Sequence, residues 1–417
     1  MARYSLPYGT GALSIDIPEE CVSGVLAGRG FPKVPLGDAF DDAWQQPFGP
    51  IDAVREIEPG QSVVVVIPDH TRAVPTRQIF EHLWEKMRAS VSRDQVMLLV
   101  ATGTHREPTD EELERMLGDL RRRFRVSVHN CDQDLVLAGQ STRGTPIWLN
   151  RTVVEADHVI TLGHIGVHYF AGYSGGRKNI LPGVAGRETI EANHAQLFHP
   201  RSGPCIYHGN PVNDEMVEAA QLVKVIFIVD VVLDCDGDVA RVVVGEPEAA
   251  HAAGRALWDK QHRVTVRDRA DVVIAAAGGH PRDINLYQSY KGQYNALRVV
   301  RDGGMVLLVA ACSDGIGQEV FQEWIERSRN PEDVAEIYKQ EGFVLGGHKA
   351  VCHCRDVARA ELFLVSELPG EQVRRFYMTP LDCPQDLLAF AKQRFGKDYR
   401  VHLLPHAAEV FPVIDEH

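Results

Sequence analysis

Short apolar runs rich in β-branched residues recur along the chain and constrain its fold more than any other feature. The run 62–67 is the strongest of them, and Pro68 stops it. Stretches with helical character separate the runs, such as 76–88 and a segment that begins with a capping box formed by Thr109 and Glu112. Continuous apolar strands that alternate with helices are typical of a parallel sheet covered on both faces, so we predict an α/β fold. The other predicted strands are 96–101, 125–128, 158–162, 225–229 with its continuation 231–233, 272–276, 305–309 and 362–365, and a hairpin turn is predicted over 234–238.

The length of 417 residues favours two domains, because single hydrophobic cores rarely grow that large. A predicted helix over 250–262 is followed by a charged segment, and we expect the boundary there. The prediction is an N-terminal domain over 1–262 and a C-terminal α/β domain over 268–417, each with a largely parallel sheet flanked by helices. The final segment, from 401 onward, either completes the second domain or packs back on the first. Ligands of open α/β sheets bind beyond the carboxyl ends of the strands, so the active site is expected in the cleft between the domains.

Charge and composition exclude several classes of partner. The formal net charge of −13 argues against a nucleic-acid partner, because phosphate binding needs clustered Lys and Arg. No apolar stretch approaches the roughly 20 residues of a membrane span, and no apolar leader follows Met1. The eight cysteines are scattered, which fits a reducing compartment. We therefore predict a cytoplasmic protein with neither a nucleic-acid nor a membrane partner, in which Cys352 and Cys354 are buried thiols.

Polar residues follow the first two strong strands. In the loop 68–75, Arg72 at a strand end is suited to a bidentate contact with a carboxylate or phosphate, and Asp69 either orients it or caps the next helix. A plain cap with a surface arginine is the alternative. His105 stands one turn before a predicted helix start, where the dipole favours a neutral imidazole that can act as a base. A loop histidine with satisfied hydrogen bonds is the alternative there.

The segment 168–178 concentrates the most chemistry, because it joins His168, a glycine turn and Lys178. The turn resembles an anion nest, although it has neither the Walker A spacing nor the dinucleotide-binding glycine order, and a plain tight turn is the alternative. Lys178 is either a phosphate contact or a covalent anchor, since a lysine amine becomes nucleophilic when its pKa is depressed. His194 is a candidate metal ligand, but a site built from protein ligands alone is not expected around it.

A last candidate group lies in the segment 286–291. Gln288 and Lys291 are three residues apart and share one face if the segment is helical. Lys291 is suited to pair with a carboxylate, and an exposed lysine without a ligand is the alternative.

Taken together, these segments resemble the nickel-pincer lactate racemase family. The matching motifs run in the family's order, and the spacings from His168 to Lys178 and from Lys178 to His194 also fit. The motifs are Asp69-His70-Thr71-Arg72, Gly103-Thr104-His105-Arg106, His168 through Lys178, Pro182-Gly183, Asn193-His194 and Tyr287-Gln288-Ser289-Tyr290-Lys291.

The resemblance implies a cofactor that composition does not reveal. This cofactor is a nickel-pincer nucleotide, pyridinium-3,5-bisthiocarboxylic acid mononucleotide, in which two sulfurs and one carbon bind nickel. By this likeness Lys178 holds the cofactor covalently, and His194 is the fourth nickel ligand. The other residues that the likeness assigns to the cofactor are Asp69, Thr71, Ser174, Gly175 and Gly176.

The same likeness assigns the chemistry of a 2-hydroxy acid racemase or epimerase. His105 and His168 are the paired acid–base residues, and Arg72, Tyr287, Gln288 and Lys291 bind the substrate. The α-hydrogen leaves as hydride, which avoids a costly carbanion, and a 2-keto acid forms before hydride returns to its other face. The implied partners are a small 2-hydroxy acid and the cofactor-synthesis enzymes that load the protein. A dehydrogenase that uses NAD and a non-catalytic carrier of nickel or cofactor are the alternatives.

Overall fold

The computed structural model describes residues 1–31, 34–72, 74–234 and 237–415. The chain forms two compact units. We call residues 30–259 the middle unit, and we call residues 1–29 together with 260–417 the terminal unit, because the latter contains both chain ends.

The described strands are numbered in chain order and are mostly short. They are β1 (Ala2–Tyr8), β2 (Gly11–Ile17), β3 (Val22–Val25), β4 (Val63–Pro68), β5 (Val96–Ala101), β6 (Arg125–Val128), β7 (Leu135–Gln140), β8 (Pro146–Asn150), β9 (His158–Ile165), β10 (Val167–His168), β11 (Gly172–Tyr173), β12 (Val225–Leu233), β13 (Val239–Gly245), β14 (Arg263–Val266), β15 (Ala270–Ala276), β16 (Val300–Val309), β17 (Glu361–Val365), β18 (Thr379–Pro380), β19 (Val401–Leu404) and β20 (Phe411–Ile414).

The described helices vary from single turns to sixteen residues. They are α1 (Leu36–Gln45), α2 (Thr76–Met87), α3 (Asp110–Leu117), α4 (Leu120–Arg123), α5 (Arg151–Glu155), α6 (Arg187–Ala195), α7 (Pro211–Gln221), α8 (Pro247–His262), α9 (Leu286–Leu297), α10 (Glu319–Arg327), α11 (Asp333–Glu341), α12 (Gly347–Arg359), α13 (Gly370–Arg375) and α14 (Leu387–Phe395). Within the described ranges, none of them has the length and hydropathy that crossing a bilayer requires.

The middle unit is built on a six-stranded sheet in the order β13-β12-β9-β4-β5-β6. All its neighbours are parallel except β12 and β13, which form the predicted antiparallel hairpin, with residues 235 and 236 of its turn outside the described residues. Every residue of β4 is buried, as its unbroken apolar run predicts. The predicted capping box is also confirmed, since Thr109 and Glu112 bond reciprocally at the start of α3. The order places the carboxyl ends of β9, β4 and β5 side by side.

The terminal unit has a second six-stranded sheet, entirely parallel, in the order β18-β17-β16-β15-β19-β3. The α/β architecture with two parallel-rich sheets is therefore as predicted. Helices α9 and α12 pack on this sheet and carry residues discussed below.

The start of the chain differs from the prediction, which placed it in the N-terminal domain. The hairpin β1–β2 buries Leu6, Ile15 and Ile17 in the apolar core of the terminal unit. Strand β3 extends that unit's sheet by pairing with β19. The first 29 residues therefore belong with the C-terminal part of the chain. Their apolar side chains are buried in its core, and the backbone of β3 is hydrogen-bonded to β19. At the other end, β20 pairs with β14 and completes the same unit.

Candidate functional site

The loops after β4 and β5 bring Asp69 and His105 together. The Oδ2 atom of Asp69 lies 2.7 Å from Nδ1 of His105, and its Oδ1 accepts a hydrogen bond of 2.7 Å from the Thr71 hydroxyl. Asp69 is 3% exposed, whereas the side chain of His105 is 33% exposed. Burial raises the pKa of Asp69, but the hydrogen bond from His105, with Thr71 and Arg72, outweighs burial and leaves that pKa below its usual value. An ionised carboxylate therefore holds the ring and leaves Nε2 for proton exchange.

A second carboxylate fixes the backbone beside His105. Glu112 accepts two hydrogen bonds, of 2.7 and 2.6 Å, from the guanidinium of Arg106. Those bonds and the backbone N–H of Thr109 lower the pKa of Glu112 to about 2. The sequence identified Glu112 as a helix cap but missed its bond to Arg106, because only the folded loop brings the two side chains together.

His168 has different surroundings. Burial, followed by the positive charges of Lys178, His194 and Arg72, lowers its pKa well below the usual value. The backbone N–H of Ala171 donates to Nδ1 at 3.2 Å, so the neutral ring carries its proton on Nε2. These contributions show that the predicted groups Lys178, His194 and Arg72 lie within electrostatic range of His168.

The ring of Phe170 contacts two predicted imidazoles. Its centroid is 4.5 Å from that of His168 and 5.0 Å from that of His194, both edge to face. His194 is carried by α6, where the neighbouring Asn193 is fully buried and donates to Glu215 of α7 at 2.9 Å. The sequence did not single out Phe170, although it lies inside the segment that was predicted to form the site.

Lys178 lies on a 3₁₀ turn, Gly176–Asn179, and is half-buried. Burial first, and then the charges of Arg72 and Arg177, lower its pKa well below the usual value. Arg177 anchors the turn, because its buried guanidinium donates to Asn213 at 2.7 Å, to the Tyr173 carbonyl at 2.8 Å and to other groups. These surroundings favour the neutral, nucleophilic form of the Lys178 amine.

The glycine turn packs on an internal carboxyl group, which bears on the predicted role of the turn. The Gly176 N–H donates at 2.8 Å to Oδ2 of Asp230, a fully buried residue of β12. A Cβ atom on Gly175 would lie 2.6 Å from the same carboxyl, and one on Gly163 would lie 2.7 Å from its other oxygen. Burial raises the pKa of Asp230 to about 7. The two glycines of the turn therefore pack on a carboxyl group that engages the Gly176 N–H, and a phosphate contact at this turn stays a prediction.

Ser174 is also engaged within the protein rather than open to a phosphate. Its hydroxyl accepts from the Gly166 N–H at 2.9 Å and donates to the His164 carbonyl at 3.0 Å. Asp230 itself was missed by the sequence analysis. Its signal was a single acidic residue between two apolar runs of one strand.

In the terminal unit, Tyr287, Gln288 and Lys291 lie in the first turns of α9, so the helical condition for a shared face of Gln288 and Lys291 is met. The Asn285 side chain caps this helix by accepting from the Gln288 N–H at 2.9 Å. Burial raises the pKa of the Tyr287 hydroxyl to about 12. The side chain of Lys291, one turn further along, is exposed. A buried lysine that the sequence did not identify, Lys349 of α12, lies 3.5 Å from the centroid of the Tyr287 ring.

The described residues contain no group of three or more His, Cys, Asp or Glu side chains that could hold a metal ion. His353, between the two predicted buried thiols, has its ring nitrogens near the Gln293 side chain and the Phe376 carbonyl. Cys354 is buried and Cys352 is half-buried, and both are free thiols. Two surface pockets of about 480 and 610 Å³ in the terminal unit are lined by none of the predicted site residues.

Comparison with known proteins defines the class of this chain. The family model described as the lactate racemase N-terminal domain matches residues 8–204, and the one described as the lactate racemase C-terminal domain matches 265–411. The chain is an isomerase of the racemase class. It belongs to the lactate racemase family, which confirms the resemblance seen in the motifs.

Named relatives and solved structures agree with this assignment. The chain is 31% identical to a lactate racemase of Thermoanaerobacterium thermosaccharolyticum over 98% of this chain and 99% of the relative. It is 33% identical to one of Lactiplantibacillus plantarum over 80% of each. The lactate racemase apoprotein structure from the first organism superposes with a TM-score of 0.90 at 30% identity, covering 99% of this chain and 100% of that one. A Thermotoga maritima protein, 18% identical with a TM-score of 0.67 over 93% of this chain and 100% of its own, shares the fold.

Proposed function

We propose that this protein racemises or epimerises a 2-hydroxy acid by reversible hydride transfer to a nickel-pincer nucleotide held on Lys178. The observation that carries the proposal is the grouping of two differently held histidines with a lysine of depressed pKa in one unit. The relatives are named lactate racemases, so lactate is the first substrate to test.

The side chains present fit such a cofactor. Without a cluster of three protein ligands among the described residues, a metal at His194 needs ligands from elsewhere, and a cofactor with its own sulfur and carbon donors supplies them. Lys178 fits the covalent link because its lowered pKa favours the neutral amine, which would condense with a thiocarboxyl group of the cofactor to give a thioamide and water. When bound, the cofactor supplies nickel and an electron-poor ring that accepts hydride.

The protein residues would then handle the proton and the substrate charge. His105, held through Nδ1 by Asp69, takes the hydroxyl proton of one enantiomer at Nε2. His168 serves the other enantiomer from the opposite side. Arg72 binds the carboxylate, and its charge keeps the 2-keto acid from escaping before hydride returns.

The terminal unit offers a second set of substrate-binding groups. Tyr287, Gln288 and Lys291 share the capped start of α9, and we assign them contacts with the substrate carboxylate or side chain. Lys291 carries the positive charge of this set on an exposed side chain, and a cationic amine suits a carboxylate.

The cofactor assignment is tested by mass spectrometry of protein co-produced with cofactor-synthesis enzymes. We expect an added mass on the peptide that contains Lys178 and about one nickel per chain. Lys178→Ala should abolish the added mass, whereas Lys224→Ala, at an exposed lysine of the same unit, should not. Wild-type protein that is co-produced with these enzymes and carries neither the added mass nor nickel would contradict the proposal.

The reaction is tested with enantiopure 2-hydroxy acids in D₂O, read by chiral chromatography and mass spectrometry. Hydride transfer predicts racemisation without wash-in of deuterium at the α-carbon. Deuterium at that carbon in every turnover would indicate proton abstraction instead. NADH formation from the hydroxy acid would favour the dehydrogenase alternative, and unchanged physiological activity of the double variant His105→Ala/His168→Ala would favour the carrier.

A further inference from the structure

Lys349 is a buried lysine in the first turn of α12, and the reaction proposed above gives it no task. It is 5% exposed, which is rare for a lysine without a charged partner. Its neighbours His348 and Ala350 are buried as well, so this turn faces the interior of the unit.

The amine of Lys349 contacts the start of α9. Its Nζ atom donates to the Tyr287 carbonyl at 2.7 Å and lies 3.5 Å from the ring centroid of Tyr287 and 5.4 Å from that of Tyr290. On the other side, the Tyr287 N–H donates to the Ile316 carbonyl at 3.0 Å. The peptide groups on both sides of Tyr287 are thereby held from outside the helix.

The charge of Lys349 is not balanced by a carboxylate in the described ranges, where its contacts are one carbonyl and two aromatic rings. Burial first, and then repulsion from Lys291, lower its pKa well below the usual value. Carbonyl and ring contacts favour a cation but do not neutralise it. An anion at Lys291 would relieve the repulsion and favour protonation of Lys349.

We propose that Lys349 is a positioning residue for the substrate carboxylate, holding the Tyr287–Lys291 turn of α9 from beneath and placing a second basic group beside Lys291. The inference rests on the proposed function and adds to it the group that fixes this turn. A neutral donor would suffice to hold the Tyr287 carbonyl alone. A lysine can in addition carry a positive charge, and an anion at Lys291 would favour that charged form.

The test compares Lys349→Met, which keeps the length without the amine, with Lys349→Arg, which keeps the charge. Lys339→Met, at an exposed lysine of α11, is the matched control. We expect Lys349→Met to raise KM for the 2-hydroxy acid by roughly 10-fold with kcat changed much less, because a charged hydrogen-bond donor is lost. Lys349→Arg should restore most of the affinity.

Binding is measured separately on the full chain without cofactor, using oxamate, an unreactive carboxylate analogue of a 2-keto acid. Calorimetry in buffers of different ionisation enthalpy should show proton uptake by wild type and by the Lys339→Met control. Lys349→Met should bind roughly 10-fold more weakly, without that uptake.

Equal KM, oxamate affinity and proton uptake in wild type and Lys349→Met would overturn the inference, as would wild type that binds no oxamate. A loss of thermal stability alone in Lys349→Met would show that the residue is only a structural anchor. If wild type racemises no 2-hydroxy acid but shows Lys349-dependent oxamate binding, the proposed reaction fails and the anion-binding role of Lys349 stands.

Discussion

Two regions of the middle unit hold a candidate acid–base histidine in opposite ways. The His105 region contains Asp69, Thr71, His105, Arg106 and Glu112, and its imidazole is partly exposed against an ionised carboxylate. The His168 region contains residues 168–178 with Asp230, and its imidazole has basic neighbours and a strongly depressed pKa.

The difference shows how one residue type is adapted to two tasks. The carboxylate of Asp69 holds the Nδ1 side of the His105 ring and leaves Nε2 to accept a proton. The basic neighbours of His168 keep that ring neutral, with its proton on Nε2. In the proposed reaction one histidine takes a proton while the other gives one, so His168 would have to gain its proton during the cycle, because its surroundings keep the free ring neutral.

The largest expected effect comes from removing either imidazole. His105→Ala and His168→Ala should each lower kcat/KM by roughly 10²–10⁴-fold. Exogenous imidazole should rescue His105→Ala more than His168→Ala, because Asp69 remains to bind the added ring at the first position, whereas positive charges surround the second. The control is His158→Ala, which changes the first residue of β9 at the amino end of the strand. Equal rescue of both variants would contradict the contrast between a carboxylate partner and basic neighbours.

The second effect concerns stability in the His168 region. The pKa of Asp230 is about 7 in the folded protein against a usual 3.8. Between these two pH values the folded protein keeps the carboxyl proton, whereas the unfolded chain has released it. The free energy of unfolding should therefore fall as pH rises from about 4 to about 7, by at most roughly 4 kcal/mol. Asp230→Asn should lack this slope in denaturant titrations at pH 5, 6 and 8. A variant with the wild-type slope would show that Asp230 is not the group responsible.

A third effect concerns the carboxylate of the His105 region. Asp69→Asn should lower kcat/KM by roughly 10²-fold, because the amide neither fixes the Nδ1–H tautomer nor steadies the charged ring. The pKa of Asp69 lies below its usual value, so wild-type activity should not fall through this group between pH 8 and pH 5. Asp157→Asn, whose carboxylate bonds Ser62 at the amino end of β4, is the matched control. A pH-rate profile checks both, and comparable losses in the two variants would contradict the assignment.

The smallest effect sharpens the same comparison. Thr71→Val removes one hydrogen bond of 2.7 Å to Asp69, which should cost about 1 kcal/mol, or roughly five-fold in kcat/KM. The double variant Thr71→Val/Asp69→Asn should be no worse than Asp69→Asn alone, since Thr71 acts through Asp69. Additive losses in this cycle would instead indicate that Thr71 contacts a ligand directly, as the family resemblance implied.

Much of the fold was predictable because strands and helices leave local signals. Strands β5 and β6 have the predicted bounds, and α2 begins at the predicted Thr76. The segment 1–29 was misassigned, because pairing of β3 with β19 depends on residues nearly the whole chain apart. No local pattern encodes which sheet edge a short strand will extend.

For the candidate site, the sequence pointed to polar residues at the ends of strands. It did not reveal which distant residues form hydrogen bonds with them. The bond between Asp69 and His105 spans 36 residues, that between Gly176 and Asp230 spans 54, and that between Tyr287 and Lys349 spans 62. The glycine turn resembled a phosphate nest because glycine permits a backbone that points its N–H groups at an anion. In the folded protein the absence of a Cβ atom at Gly175 makes room for the carboxyl group of Asp230.

The sequence by itself therefore determined the α/β class, the strands and the chemical types present, because periodicity, caps and apolar runs act over a few residues. Only the tertiary structure decided which unit the first 29 residues join, which histidine receives a carboxylate and which lysine is buried. Those outcomes depend on desolvation and on contacts between distant segments, and both arise only when the chain packs.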